Sequence, residues 1–343
     1  MSELEWRGTA TVMHVYHHAI FVAAHDPNAY LTDPAHEGET LVTYVDISDP
    51  AGTIARRGSL YVPGYIADKF KLDWSAHTLR VFSSRTFNGQ TDGFVHTIDT
   101  HQPDALQKLA SLDLSNANYG WLTGTRMSGD RGYAVTMRYD SGRNKSQLHV
   151  VDLSVPAAPR VTGSLLIDGN VTYFETRGDR LLALGQMWNT NGTWGSYAAL
   201  SLFDVSDAAS PRLLSVARLG EGSSYSLANS NYKALRVLDE LGLILVPLSF
   251  YNNGTSFQGV QLVDLGRDAL RPRGVMANAG TVERAFPVGE RIVSLSQQQI
   301  QVIDAADRDQ PRITAQMNLI RNVQGIWSIG GKQVQLIGPV LAT

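Results

Sequence analysis

Six aspartates close six similar apolar stretches: Asp46 in "LVTYVDISDP", Asp99 in "GFVHTIDTHQP", Asp152 in "LHVVDLSVP", Asp204 in "LSLFDVSDAASP", Asp264 in "VQLVDLGRDALRP" and Asp304 in "IQVIDAADRDQP". Carboxylates that converge bind metal; carboxylates that stay apart cap turns. These are 53, 53, 52, 60 and 40 residues apart, one per stretch. They are therefore expected at the same strand end of separate modules. Each side chain would cap its own turn, and the proline that follows would end the pairing.

The histidines are a second candidate group. All nine lie between His14 and His149, and four fall in "HVYHHAIFVAAHD". His17 and His18 align on the Gly178-Asp179 turn and belong at an exposed hairpin tip. Adjacent strand residues point to opposite faces, so they do not share one metal, and no metal site is assigned.

A third group comes from counting three residues back from each hairpin glycine. This gives His14, Arg126, Glu175, Phe286 and Trp327, with Glu283 and Arg284 slightly further back. A polar row on innermost strands would line a central channel. His14, Arg126, Glu175 and Arg284 are the candidates there for acid–base chemistry and charge stabilisation. Water-filled polar packing, or an ion pair between Arg126 and Glu175, is the simpler reading.

The fourth group is aromatic. "QMWNTNGTWGSY" carries Trp188, Trp194 and Tyr197; "SFYNNGTSF" carries Phe250, Tyr251 and Phe257. Rings set among amides and glycines suit stacking on sugars or on a protein partner. The alternative is that they pack their own loops down.

These residues need elements to hold them. Tight polar hairpins precede most V-D strands, as in "ETRGDRLLALG", "RMSGDRGYAVT" and "PVGERIVSLS". One module then reads as strand A "VTYFETR", B "RLLALGQ", C "AALSLFDVS" and D "PRLLSVARL". Short strands repeating at this period predict an all-β propeller of four-stranded antiparallel blades. Seven hairpins against six V-D strands favour seven blades, with six as the fallback. The predicted blades are about 9–62, 63–116, 117–167, 168–220, 221–280, 281–319, and 320–343 completed by 2–6, within a single domain of 1–343. "SELEWRGTATVM" aligns without gaps on "GSLLIDGNVTYF", so residues 2–6 are expected as a strand zipping the N-terminus onto the last blade. Both aromatic loops would join strands B and C of blades 4 and 5 and emerge together.

The composition narrows the class. With a net charge of −3 and no lysine-rich block, nothing points to nucleic acid or an anionic membrane surface. No apolar run is long enough to insert as a helix. The absence of cysteine excludes disulfides, thiolate metal sites and cysteine nucleophiles. G-x-S-x-G, H-E-x-x-H, P-loop and EF-hand patterns are missing, and no cofactor is expected. "MSELEWRGTA" is not a signal peptide, so the chain either stays inside or begins after an export signal.

The stretch "RMSGDRGYAVTMRYDSGRNKSQLHVVDLSVPAAPRVTGSLLIDGNVTYFETRGDRLLALG" resembles the secreted prokaryotic β-propeller domain family distantly related to WD40 repeats. So do "GSLYVPGYIADKFKLDWSAHTLRVFSS", "LSLFDVSDAASPRLLSVARLGEGSSYSLANSNYKALRVL" and "VERAFPVGERIVSLSQQQIQVIDAADRD". The similarity covers about residues 55–310. "MRYDSGRNKSQLHVVDL" is longer than the family's usual link, and nothing matches its N-terminal lead-in. The resemblance implies export to the cell envelope or outside, and no particular reaction.

The expectation is a monomeric, non-catalytic, extracellular or cell-envelope scaffold that binds an unknown protein or glycan through Trp188, Trp194, Tyr197, Tyr251 and Phe257. The alternative is a channel-sited hydrolase or lyase acting on a carbohydrate or lactone. A quinone-dependent redox propeller lacks a cofactor motif.

Overall fold

A computed structural model describes residues 4–6, 10–87, 89–115, 120–140, 143–188, 195–319, 323–329 and 332–337. The strands follow the pattern of β-branched and aromatic residues. Sheet 1 contains β1 (Ala10–Val15), β2 (Ala19–His25), β3 (Glu39–Asp46) and β4 (Ala55–Pro63). Sheet 2 contains β5 (Leu72–Ser75), β6 (Thr78–Phe87), β7 (Gln90–Asp99) and β8 (Gln107–Asp113). Sheet 3 contains β9 (Trp121–Ser128), β10 (Arg131–Asp140), β11 (Arg143–Asp152) and β12 (Arg160–Ile167). Sheet 4 contains β13 (Gly169–Arg177), β14 (Arg180–Trp188), β15 (Ser196–Asp204) and β16 (Arg212–Arg218).

In sheet 5, β17 (Ser223–Tyr225) and β18 (Arg236–Leu238) are two short pieces along one neighbour, β19 (Leu243–Asn252), followed by β20 (Thr255–Leu265) and β21 (Leu270–Ala277). Sheet 6 contains β22 (Val282–Val288), β23 (Arg291–Ser296), β24 (Gln299–Asp304) and β25 (Arg312–Asn318). Beyond them lies one hairpin, β26 (Val323–Ile329) with β27 (Lys332–Ile337).

Among the described residues the content is thus six four-stranded antiparallel blades, one with a split first strand, so six blades replace the expected seven. The hairpin at 323–337 has the turn but no V-D strand to extend it among the described residues. Of the expected closing strand at 2–6, residues 2 and 3 lie outside the described residues. Residues 4–6 form no strand, and the Trp6 indole donates to Thr43 Oγ1 on β3 at 3.2 Å. Arg56 covers the same ring.

The chain forms two compact units: residues 1–179 with 205–212, and residues 180–204 with 213–343. In the first unit, Phe21, Val42, Ile66, Leu72, Leu79, Val81 and Ile98 bury the facing sides of sheets 1 and 2. The Trp74 ring packs edge-on to Tyr16 and Tyr44, and its Nε1 donates to Thr100 Oγ1 at 2.9 Å. Phe82, Val95, Leu122, Ala134 and Val151 do the same for sheets 2 and 3. In the second unit, Leu245, Val260, Leu262, Val282, Ile292 and Ile303 fill the space between sheets 5 and 6.

Four of the six repeated aspartates cap turns, while Asp204 pairs with Arg180 and Asp264 with Arg273 and Arg308. Asp46 Oδ1 accepts from the Ser48 hydroxyl at 2.6 Å and amide at 2.9 Å, and Asp152 does the same with Ser154. Asp99 and Asp304 accept from the amides two residues on. The Ser48 and Ser154 bonds, then the neighbouring Arg57 and Arg160, hold Asp46 and Asp152 below the usual carboxylate range.

A second feature recurs three residues before each aspartate. Thr43, His96, His149, Ser201, Gln261 and Gln301 are all buried polar side chains in otherwise apolar strands. His96 bridges Ser83 and Ser111 at 2.9 Å each. His149 bridges Thr136 at 2.8 Å and Ser164 at 3.4 Å. Burial pushes both imidazoles down to about 4.

Candidate functional site

The polar row occupies one register. His14 lies opposite Phe21, Arg126 opposite Tyr133, Phe286 opposite Val293 and Trp327 opposite Val334. In the first unit a 3-10 turn at Lys69–Lys71 gathers part of this row. His14 Nδ1 lies 2.9 Å from the Leu72 carbonyl, and the Tyr16 ring stacks on the imidazole. The Arg126 guanidinium lies 5.2 Å from the centre of the Phe70 ring, which meets Tyr173 edge-on. Glu175 pairs with Arg177 on its own strand at 3.2 Å. Among the described residues Arg126 and Glu175 form no ion pair with each other. Burial, then the nearby Asp73, raises the Tyr16 phenol. In the second unit Glu283 accepts from Gln297 at 2.9 Å, and Arg284 is exposed. Within the first unit, His14, Arg126 and Glu175 thus each meet a different partner: Leu72, Phe70 and Arg177.

In the second unit the described aromatic candidates are Trp188, Tyr197, Tyr251 and Phe257. Trp188 ends β14 and Tyr197 begins β15, both half-buried; Trp194 lies outside the described residues. β16 ends in Arg218, whose guanidinium lies 4.3 Å from the Tyr197 ring centre. Arg218 Nη2 also donates to the Gly222 carbonyl at 2.8 Å. Gly222 has φ +57°, and a Cβ there would run into the Tyr251 carbonyl, so this close crossing requires glycine.

On the far side of that crossing, Glu221 accepts from Asn252 Nδ2 at 2.8 Å. Tyr251, opposite Ser223, is 60% exposed. Its neighbour Phe250 instead stacks on Phe257 at 4.5 Å. Phe257 thus packs its own hairpin, while Tyr251 is displayed. Tyr197 near the start of β15 is linked to the β19–β20 hairpin through Arg218, Gly222, Glu221 and Asn252. These groups stack and hydrogen-bond. Arg218, Glu221 and Asn252 escaped sequence reading; the glycine-rich "RLGEGSSY" between the two aromatic loops was the available signal.

Sheet 1 carries a larger cavity, about 560 Å³, between the 26–38 connection and the Trp6, Arg56 and Tyr61 side chains. Two of its acidic groups, Asp26 and Glu39, are engaged. Asp26 accepts from the Asn28 amide and the Thr32 hydroxyl. Glu39 pairs with His36 at 2.8 Å, and the His36 ring stacks 3.5 Å from Tyr61. Burial, then Asp33, raises the Tyr61 phenol. Among the described residues, no three His, Asp or Glu side chains are placed to hold a metal ion.

Comparison with known proteins bears on the fold more than on the site. A solved structure of a protein from Lactobacillus plantarum superposes with a TM-score of 0.53 at 10% identity, covering 90% of this chain and 86% of that one. An uncharacterized protein of Archaeoglobus fulgidus is 27% identical over 243 residues, 71% of this chain and 34% of the relative. The chain thus spans about a third of that relative's length. Residues 5–308 match the family described as Beta propeller domain, with β1 to β24 and the split sheet inside the matched region and β25 beyond it, and the chain belongs to that family.

Proposed function

We propose that this chain is a non-catalytic binding scaffold at the cell envelope or outside the cell, taking a protein or glycan partner at the β14–β15 and β19–β20 tips. One observation carries the reading: the Arg218–Tyr197 stack stands beside the exposed Tyr251 on a backbone crossing fixed by glycine. Arginine and tyrosine are the side chains that most often dominate partner binding, and here both are held in place before any partner arrives. The resemblance to secreted propellers supports the location. The alternative of a channel enzyme draws less support, because Arg126 is engaged with Phe70 and Glu175 with Arg177.

The test is a screen of the purified chain against immobilised glycans and candidate envelope proteins, repeated with Tyr197→Ala, Arg218→Ala and Tyr251→Ala, singly and together. A hot-spot role predicts about 30-fold weaker binding for the combined variant. Binding kept within about twofold would sink the assignment of this surface. Cell fractionation that finds the protein only in the cytosol would sink the location.

A further inference from the structure

Sheet 5 departs from its neighbours in its first strand. β17 pairs with Ser249–Tyr251 and β18 with Leu243–Leu245. Between the two pieces the chain leaves the ladder through 3-10 turns at Leu227–Asn229 and Tyr232–Ala234. Val246–Leu248 consequently face a gap on that side. Proline at 247 has no N–H to satisfy, and its carbonyl accepts the Ser226 hydroxyl at 2.6 Å, so the gap is stable without a strand in it.

The gap is a notch of about 170 Å³ lined by Tyr225, Leu227, Pro247, Ser249, Gln258 and Val282, with Thr281 beside them. This is well below the ~300–1,000 Å³ of drug-sized sites, room for one ring. None of its lining residues is charged. Tyr225, 45% exposed, forms the rim. Tyr251 stands on the same side, because Tyr225 pairs with Ser249 and Ser223 with Tyr251. Opposite Ser249 lies Gln258, whose Oε1 is buried and has no hydrogen-bond partner. Buried amide oxygens without a donor are rare in folded proteins.

We infer that this notch is a subsite for one neutral sugar ring. The ring's C–H face lies on Leu227, Pro247, Val282 and the Tyr225 ring, and the Gln258 side chain turns its unpartnered Oε1 into the notch to accept from one hydroxyl. This rests on the reading of the chain as a binding scaffold and assigns it a neutral glycan. A phosphate, uronate or amine would be desolvated here with no opposite charge to meet it.

The experiment is saturation-transfer NMR on the full chain with methyl glycosides of glucose, galactose, mannose and N-acetylglucosamine, and with glucuronate as the charged comparator. Transfer from at least one neutral glycoside is expected. Gln258→Leu and Tyr225→Ala should each weaken it about tenfold, and Tyr225→Phe should keep it within about threefold. If Gln258→Leu lowers the melting temperature, the contrast between Tyr225→Phe and Tyr225→Ala still decides. Arg160→Ala, at the exposed turn of sheet 3 where it pairs with Asp152, should leave glycoside affinity unchanged. No transfer from any neutral glycoside, transfer from glucuronate alone, or transfer that survives both Gln258→Leu and Tyr225→Ala would each overturn the subsite. The scaffold reading would then stand or fall separately, on the Tyr197 and Arg218 variants.

Discussion

The amide of Gly58 on β4 donates to the carbonyl of Pro103, in the turn that follows the next sheet's aspartate, at 2.7 Å. The Gly274 amide likewise donates to the Arg308 carbonyl at 2.8 Å, and a Cβ at Gly163 would run into the Ala208 carbonyl. All three glycines sit near the irregularity where the third and fourth strands of a blade change register. A Cβ at Gly58 would lie 2.6 Å from the Pro103 oxygen, against backbone that cannot swing away. Gly58→Ala is expected to cost about 1–3 kcal/mol in urea titration. An unchanged midpoint would show that the turn yields.

The buried histidines make stability depend on pH. Both stay neutral in the folded chain down to about 4, whereas in the unfolded chain they titrate near 6.5. The unfolded chain therefore binds more protons between those values, and stability rises with pH. It is fully present above about 6.5 and is lost as pH falls toward 4, by up to about 3 kcal/mol per histidine. Gln fills the equivalent seats at 261 and 301, so His96→Gln with His149→Gln should flatten the urea midpoint between pH 7.5 and 5. A slope as steep as wild type would point to other groups.

Lys71 is 2% exposed, with Nζ 2.7 Å from Asp68 Oδ2 and 3.5 Å from the Thr123 carbonyl. Asp68→Asn removes the counter-charge and leaves the ammonium buried, so about 2 kcal/mol should be lost. Lys71→Met removes the charge itself and should stay within about 1 kcal/mol of wild type. The reverse order in thermal melts would mean that the pair is not what holds the turn.

Tyr251 and Phe257 stand on the same hairpin with opposite duties. Tyr251→Ala should change stability by less than about 0.5 kcal/mol. Phe257→Ala, which dismantles the stack on Phe250, should cost about 1–3 kcal/mol. Equal effects in chemical denaturation would contradict the division between displayed and packed rings.

What the sequence revealed was local. Each Asp46-type cap is a contact between neighbours two residues apart, and the turn glycines of each hairpin signal themselves. That is why the blade repeat and the capping role were legible. The last hairpin misled because "SIGGKQVQLIG" has a turn signal as good as any other, and a blade count needs the strand after it. At the N-terminus, a gapless alignment of twelve residues says nothing of the Trp6 bond to Thr43. The Tyr197–Arg218 stack joins residues 21 apart through a crossing that only Gly222 permits. The Gln258 notch depends on a strand that breaks, and "SSYSLANSNYKALRV" signals that break only through its Ser and Asn turn caps at Ser226 and Asn231.

The seat three residues before each aspartate is filled by threonine, histidine, histidine, serine, glutamine and glutamine in turn, and each meets a different set of hydroxyls, amides or carbonyls, with the Ser201 oxygen meeting none. The modules look alike in outline but are keyed differently inside. A blade cut from one place and spliced into another would keep its interior lock only if its own inner and outer strands travelled with it. Recombination by whole blades is therefore tolerable, while exchange of single strands between them is not.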